Sequence, residues 1–318
     1  MSSHQQQTPV RDIGPVPAPS PHRAGPAGKA ARRAPRRPAS AWVRLPLLFA
    51  LMLGVDAVVS AVNSAADGNP ATGLLVGLVT GGLALAAYVG LIRRLEGRRV
   101  EELAPRRARR ELVRGFGTGL GLFVVTIGLL AASGGYHVHG WGSIGGALTS
   151  LGLMSAAAVT EELALRGALF RILEEKTGTV GALVASGVVF GCMHLVNPHA
   201  TVWGALSIAI EGGVMLGSLY AAARSLWPVI GLHLGWNLAE QGIFDTTVSG
   251  SGSHTGGLLQ ASVSGPQILS GGGFGPEAGI FAIVVCAIPT VVFLMTAKRR
   301  NRLHPRPSRA ARALAAPN

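Results

Sequence analysis

Three short stretches of this chain place ionisable side chains inside otherwise apolar sequence. They are Glu161-Glu162-Leu163-Ala164-Leu165-Arg166, Phe190-Gly191-Cys192-Met193-His194 and His233-Leu234-Gly235-Trp236-Asn237. Helical spacing sorts the groups. Glu162 and Arg166 are four apart, share a face and can pair. Glu161 is turned about 100° away from Glu162, which leaves it free to face something else. His233 and Asn237, also four apart, aim a ring nitrogen and an amide into one space. Phe190 lies one turn from His194 and can pack beneath its ring. A carboxylate, two imidazoles and an amide are a workable set for hydrolysing a peptide bond. The carboxylate takes a proton from water, one imidazole orients that water, and the remaining donors hold the oxyanion.

The elements that must position these groups are membrane spans. Of the 318 residues 48% are hydrophobic and 14% charged, against about 25% charged in a soluble domain, and the mean hydropathy is +0.41. Glycine, at 45 residues, suits close helix packing in lipid. Apolar stretches of spanning length fall at 42–64, 72–92, 115–132, 144–170, 179–196, 202–222, 227–244 and 278–297. This predicts an all-α polytopic bundle of about eight transmembrane helices, with the domain at 41–297. A basic, Pro-rich cytoplasmic tail at 1–40 precedes it, a basic cytoplasmic tail at 298–318 follows it, and the Gly/Ser/Thr-rich segment 245–277 reads as a mobile linker.

Charge placement orients the bundle. The net charge is +13. Eight Lys or Arg lie between Arg11 and Arg44, nine between Arg93 and Arg114, and seven between Lys298 and Arg312. Arg171, Lys176 and Arg224 occupy the other predicted inner loops. The predicted outer loops 65–71, 133–143, 197–201 and 245–277 hold none. This is the positive-inside pattern, with both termini cytoplasmic and the cell membrane as location. The basic balance therefore reflects topology and anionic lipid rather than a nucleic-acid groove. Arg166 alone breaks the pattern, sitting inside a span.

A charge at mid-bilayer costs about 2.5–3.5 kcal/mol on insertion scales, so such groups are kept where they meet a cavity or a partner. Asp56, Glu211 and Glu240 are further isolated cases, the first two reading as structural or substrate-channel groups. EELALR, FGCMH and HLGWN, in that order and each in a span, resemble the EExxxR, FxxxH and HxxxN motifs of the CAAX-protease and bacteriocin-processing family of intramembrane glutamate endopeptidases. The resemblance implies that Glu161 activates the hydrolytic water and His194 helps hold it. It also implies that His233 and Asn237 form the oxyanion hole and that Glu162 and Arg166 support the site. Eukaryotic members remove the last three residues of prenylated proteins, and bacterial members are linked to peptide maturation, self-immunity and surface-protein processing. It further implies a prenylated or transmembrane peptide substrate, no metal and no cofactor, although Glu161, His194 and His233 are metal-ligand types.

Other chemistries fit less well. There is no HExxH, no GxGD, and no GxSG within a span. Cys192 is two residues from His194 and points to nearly the opposite face. Gly115-Phe116-Gly117-Thr118-Gly119 opens a span with no strand before it and reads as a packing surface, as does Gly213-Val214-Met215-Leu216-Gly217. Two readings from other classes remain: a non-catalytic immunity or scaffold protein that binds a peptide, and a proton-coupled carrier using Glu and His relays. Expected partners are a membrane peptide and the bilayer, without nucleic acid; oligomeric state is not legible.

Overall fold

The computed structural model describes residues 40–66, 69–252 and 255–308. Most of the two basic tails, at 1–39 and 309–318, lies outside the described residues. The helices are α1 (Ala41–Ala65), α2 (Pro70–Leu95), α3 (Pro105–Ala132), α4 (Ile144–Glu162), α5 (Arg171–Met193), α6 (Val202–Ile208), α7 (Leu216–Ala223), α8 (Trp227–Asn237), the four-residue α9 (Gln267–Ser270) and α10 (Ile280–Arg299). Strands β1 (Tyr136–Trp141) and β2 (Leu259–Val263) form one antiparallel ribbon. The chain is an all-α polytopic membrane bundle with almost no sheet.

Six helical stretches among the described residues are long and apolar enough to cross a membrane, one of them the 53-residue run Ile144–Val196. That run reverses at Gly178, whose φ of 74° and ψ of 173° break the helix. Arg166 and Phe190 therefore meet across it, with the guanidinium carbon 5.4 Å from the ring centroid. Counting this hairpin as two arms and adding the shorter segment 227–243, the described residues form eight helical arms. The third begins at Pro105 rather than near 115, because its Arg-rich first turns are helical without being apolar.

The connections sort into two ends, grouped as the charge pattern predicts. At the basic end, Arg44 bonds Glu96 (2.7 Å) and Glu175 (2.6 Å), Arg171 bonds Glu96 (2.9 Å), and Arg224 pairs with Glu174. At the other end, Asn197 donates to the Ser249 carbonyl (2.7 Å), and the amide of Ser143 to the carbonyl of Gly257 (2.7 Å). Helices α2, α4 and α6 start there, capped by the side chains of Asn69, Ser143 and Thr201. The 245–277 segment is not a free linker. β2 pairs Tyr136 with Val263 and Trp141 with Leu259, and residues 267–278 fold into short helical turns. Its partner strand lies more than a hundred residues away, so local composition carries no trace of the pairing.

The ion pairs at the basic end make its stability acid-sensitive. Burial works against the charge on Glu96, yet Arg171 and Arg98 hold its carboxyl below the usual range; Arg98 does the same for the buried Glu102. Groups lowered in this way stabilise the fold fully above the ordinary carboxylate value of 4.5. That contribution disappears as pH falls through the depressed folded values. Thermal melts between pH 6 and 3 are expected to show a loss of stability that Arg98→Ala reduces; a loss unchanged by that substitution would count against this cluster as its source.

Helices α3 and α8 touch backbone to backbone. A Cβ at Gly119 would lie 2.0 Å from the Leu232 carbonyl oxygen, and one at Gly235 would lie 2.1 Å from that of Phe116. Backbone cannot yield as a side-chain tip can. Gly119→Val is expected to cost about 1–3 kcal/mol or more, whereas Gly117→Val, with nothing within 4 Å, is expected to be close to neutral. Unfolding midpoints in detergent compare the two, and equal midpoints would refute the close contact.

Candidate active site

Glu161 and Glu162 end α4, and a π-helical segment, Leu163–Phe170, follows at once. Two more π-helical segments, Ala209–Met215 and Leu238–Ile243, interrupt the arms that carry Glu211 and Glu240. Such widened turns leave carbonyls without their helical partners and recur at functional sites. Here Arg166 uses two of them, donating from Nη2 to the carbonyls of Gly212 and Gly213.

Arg166 also donates from Nη1 to Glu162 Oε1 at 2.7 Å, both side chains being fully buried. The same Oε1 accepts from His233 Nδ1 at 2.9 Å. A carboxylate paired with Arg can only accept, so His233 carries its proton on Nδ1 and turns Nε2 the other way. That atom lies 3.9 Å from Glu161 Oε2. One imidazole thus spans the two adjacent glutamates. The separation exceeds a hydrogen bond and is of the size that one shared water molecule bridges. His194 is oriented similarly. Its Nδ1 donates to the Phe190 carbonyl at 2.8 Å, which leaves Nε2 as the acceptor. The Phe190 ring sits edge-on to His194 (4.7 Å between centroids) and to His233 (6.3 Å). A Cβ at Gly212 would fall 2.0 Å from a carbon of that ring, so only glycine leaves room for it.

Glu161, His194, His233 and Asn237 all line one cavity of about 550 Å³, with Phe190 in its wall, a volume in the range of ligand sites. Glu162 and Arg166 stand outside that lining, and they hold His233 and the 209–215 turn. The structure therefore brings every sequence-predicted site residue together. Asp56 and Glu211 line the cavity as well, and Asp56 accepts from the Thr160 hydroxyl. Among the described residues, no three His, Cys, Asp or Glu side chains gather as a metal-ligand set.

Sequence reasoning missed two features. The first is the Glu162–His233 bond, because it joins helices 71 residues apart. The second is Glu277, in the outer segment, which also lines the cavity. Its Oε1 accepts from Trp236 Nε1 at 2.8 Å, and its Oε2 from the amide (2.9 Å) and hydroxyl (2.7 Å) of Ser249. Its isolation was the available signal, since no other Asp or Glu follows Asp245.

Fold and site together define a polytopic membrane protein with a Glu/His/Asn cavity lined by its helices and by the outer segment that carries Ser249 and Glu277. Among known families, residues 143–239 match the model described as Rce1-like, type II CAAX prenyl endopeptidase Rce1-like. The matched segment contains all three motifs and supports the resemblance they carry to the CAAX-protease family. Comparison with curated proteins and with solved structures found no match.

Proposed function

We propose that this protein is a glutamate-dependent, metal-independent endopeptidase of the cell membrane, acting on a membrane-associated peptide that is prenylated or transmembrane. The observation that carries the reading is the placement of one imidazole between two glutamates at a cavity wall. Glu162, neutralised by Arg166, fixes His233, while Glu161 Oε2 has no hydrogen-bonding partner. In this reading Glu161 takes a proton from a water that His194 Nε2 also holds. The water oxygen bonds to the scissile carbonyl carbon. His233 carries a second proton, balanced by Glu161 before attack and by the oxyanion after it, and donates to that oxyanion together with the Asn237 amide. Collapse breaks the C–N bond, and the proton held by Glu161 passes to the departing amine. The enclosing helices keep the donors in a low-dielectric space, where they act most strongly.

Quantitative proteomics of peptides released from membranes tests the reading, comparing cells that carry the native protein with cells that carry Glu161→Gln. Products present only with the native protein, and persisting in chelator, support it. Identical peptide sets would instead favour a scaffold that binds without cutting.

A further inference from the structure

Behind the hydrolytic groups lies a set of carboxylates that the proposed mechanism does not use. Glu211 is 2% exposed and lines the cavity, and neither of its carboxyl oxygens has a hydrogen-bonding partner. Glu277, in the same cavity wall, is satisfied by Trp236 and Ser249, with the fully buried Glu240 beside it. Among the described residues, no Lys or Arg lines the cavity. Arg166 is committed to Glu162 and to the carbonyls of Gly212 and Gly213. Those carbonyls belong to the two residues after Glu211, so Arg166 pins the turn that presents Glu211 without reaching its carboxyl.

A buried carboxyl group with two empty acceptors is costly unless a donor meets it. The polarity of this wall selects the donor: Asp56, Glu161, Glu211 and Glu277 line the cavity and, among the described residues, no Lys or Arg does. A Lys or Arg within a membrane peptide has the complementary problem, because its charge is expensive in hydrocarbon and is tolerated where a partner awaits. We infer that Glu211, with Glu277 beside it in the wall, forms a subsite for a cationic side chain of the peptide that enters the cavity. Resting on the peptidase reading, this narrows its substrates to membrane peptides carrying Lys or Arg in the segment that reaches the site. Glu211 acts in recognition, apart from the proton transfers at Glu161.

The probe is a set of apolar peptides, each with one Lys at a successive central position, with norleucine counterparts. Binding is measured in nanodiscs to the Glu161→Gln protein, in choline chloride, so that turnover plays no part. At one or more positions Lys is expected to bind roughly 10-fold or more tightly than norleucine. Glu211→Gln is expected to remove that preference, so that Lys and norleucine peptides bind that variant alike. Lack of a Lys preference at every position overturns the subsite without needing any variant at Glu211, as does a preference that survives Glu211→Gln. Glu211→Asp, which keeps the carboxyl group, is expected to retain part of it. A melting-temperature rise with NaCl, KCl or MgCl2 that Glu211→Gln abolishes would assign the site to an inorganic cation instead. Cleavage by the native protein is scored separately. Lys-selective binding without cleavage sinks the peptidase and keeps the subsite, while cleavage indifferent to Lys does the reverse.

Discussion

Glu161→Gln is expected to lower kcat on a cleaved membrane peptide by about 10²–10⁴-fold, the usual worth of a positioned general base. The substitution keeps the shape of the side chain and one acceptor oxygen but removes the ability to take a proton. Stability should barely move, because Glu161 Oε2 has no hydrogen-bonding partner to lose and the residue lines the cavity. The effect should therefore fall on kcat more than on KM, with a thermal midpoint within the scatter of neutral substitutions. Initial rates in proteoliposomes, set beside melting curves of the same samples, check both halves. A Glu161→Gln protein that turns over at the native rate removes this residue as the base. One that loses activity only because it unfolds leaves the assignment without its main support.

Arg166→Ala is expected to be the most damaging single change to the fold. Its partner Glu162 has no exposed surface, and Arg166 itself is 1% exposed. Removing one member of a buried pair leaves an uncompensated charge, at a cost of about 3–5 kcal/mol. Two further contacts go with it: the carbonyls of Gly212 and Gly213 lose their donor, and Phe190 loses the guanidinium near its ring. Arg166→Lys should rescue little, since a single ammonium cannot serve the carboxylate and the 209–215 turn as the planar fork does. Denaturation in mixed micelles reads the loss. A penalty under about 1 kcal/mol, within the range of surface pairs, would mean that the ion pair contributes far less than its burial indicates.

The sequence alone made much of this legible, and local periodicity explains why. The Glu162–Arg166 pair, the outward turn of Glu161, the packing of Phe190 against His194 and the shared face of His233 and Asn237 follow from 3.6 residues per turn within single helices. The spans and the sorting of their loops follow from the cost of charge in hydrocarbon, which every residue registers locally. The boundary of α3 did not, because hydropathy marks the lipid-crossing part of a helix and not its Arg-rich beginning.

What only the tertiary structure decided are relations between distant segments. No spacing rule joins Glu162 to His233, β1 to β2, or Glu277 to Trp236, since each depends on how arms pack after insertion. Nor could the sequence show that Glu211 shares a cavity with Glu161 while lacking a partner. The residue types and their helical faces were set by the one-dimensional pattern. Their convergence was set by packing, above all the glycine contacts of α3 with α8 and the reversal at Gly178, which bring separate helices close enough for side chains to meet.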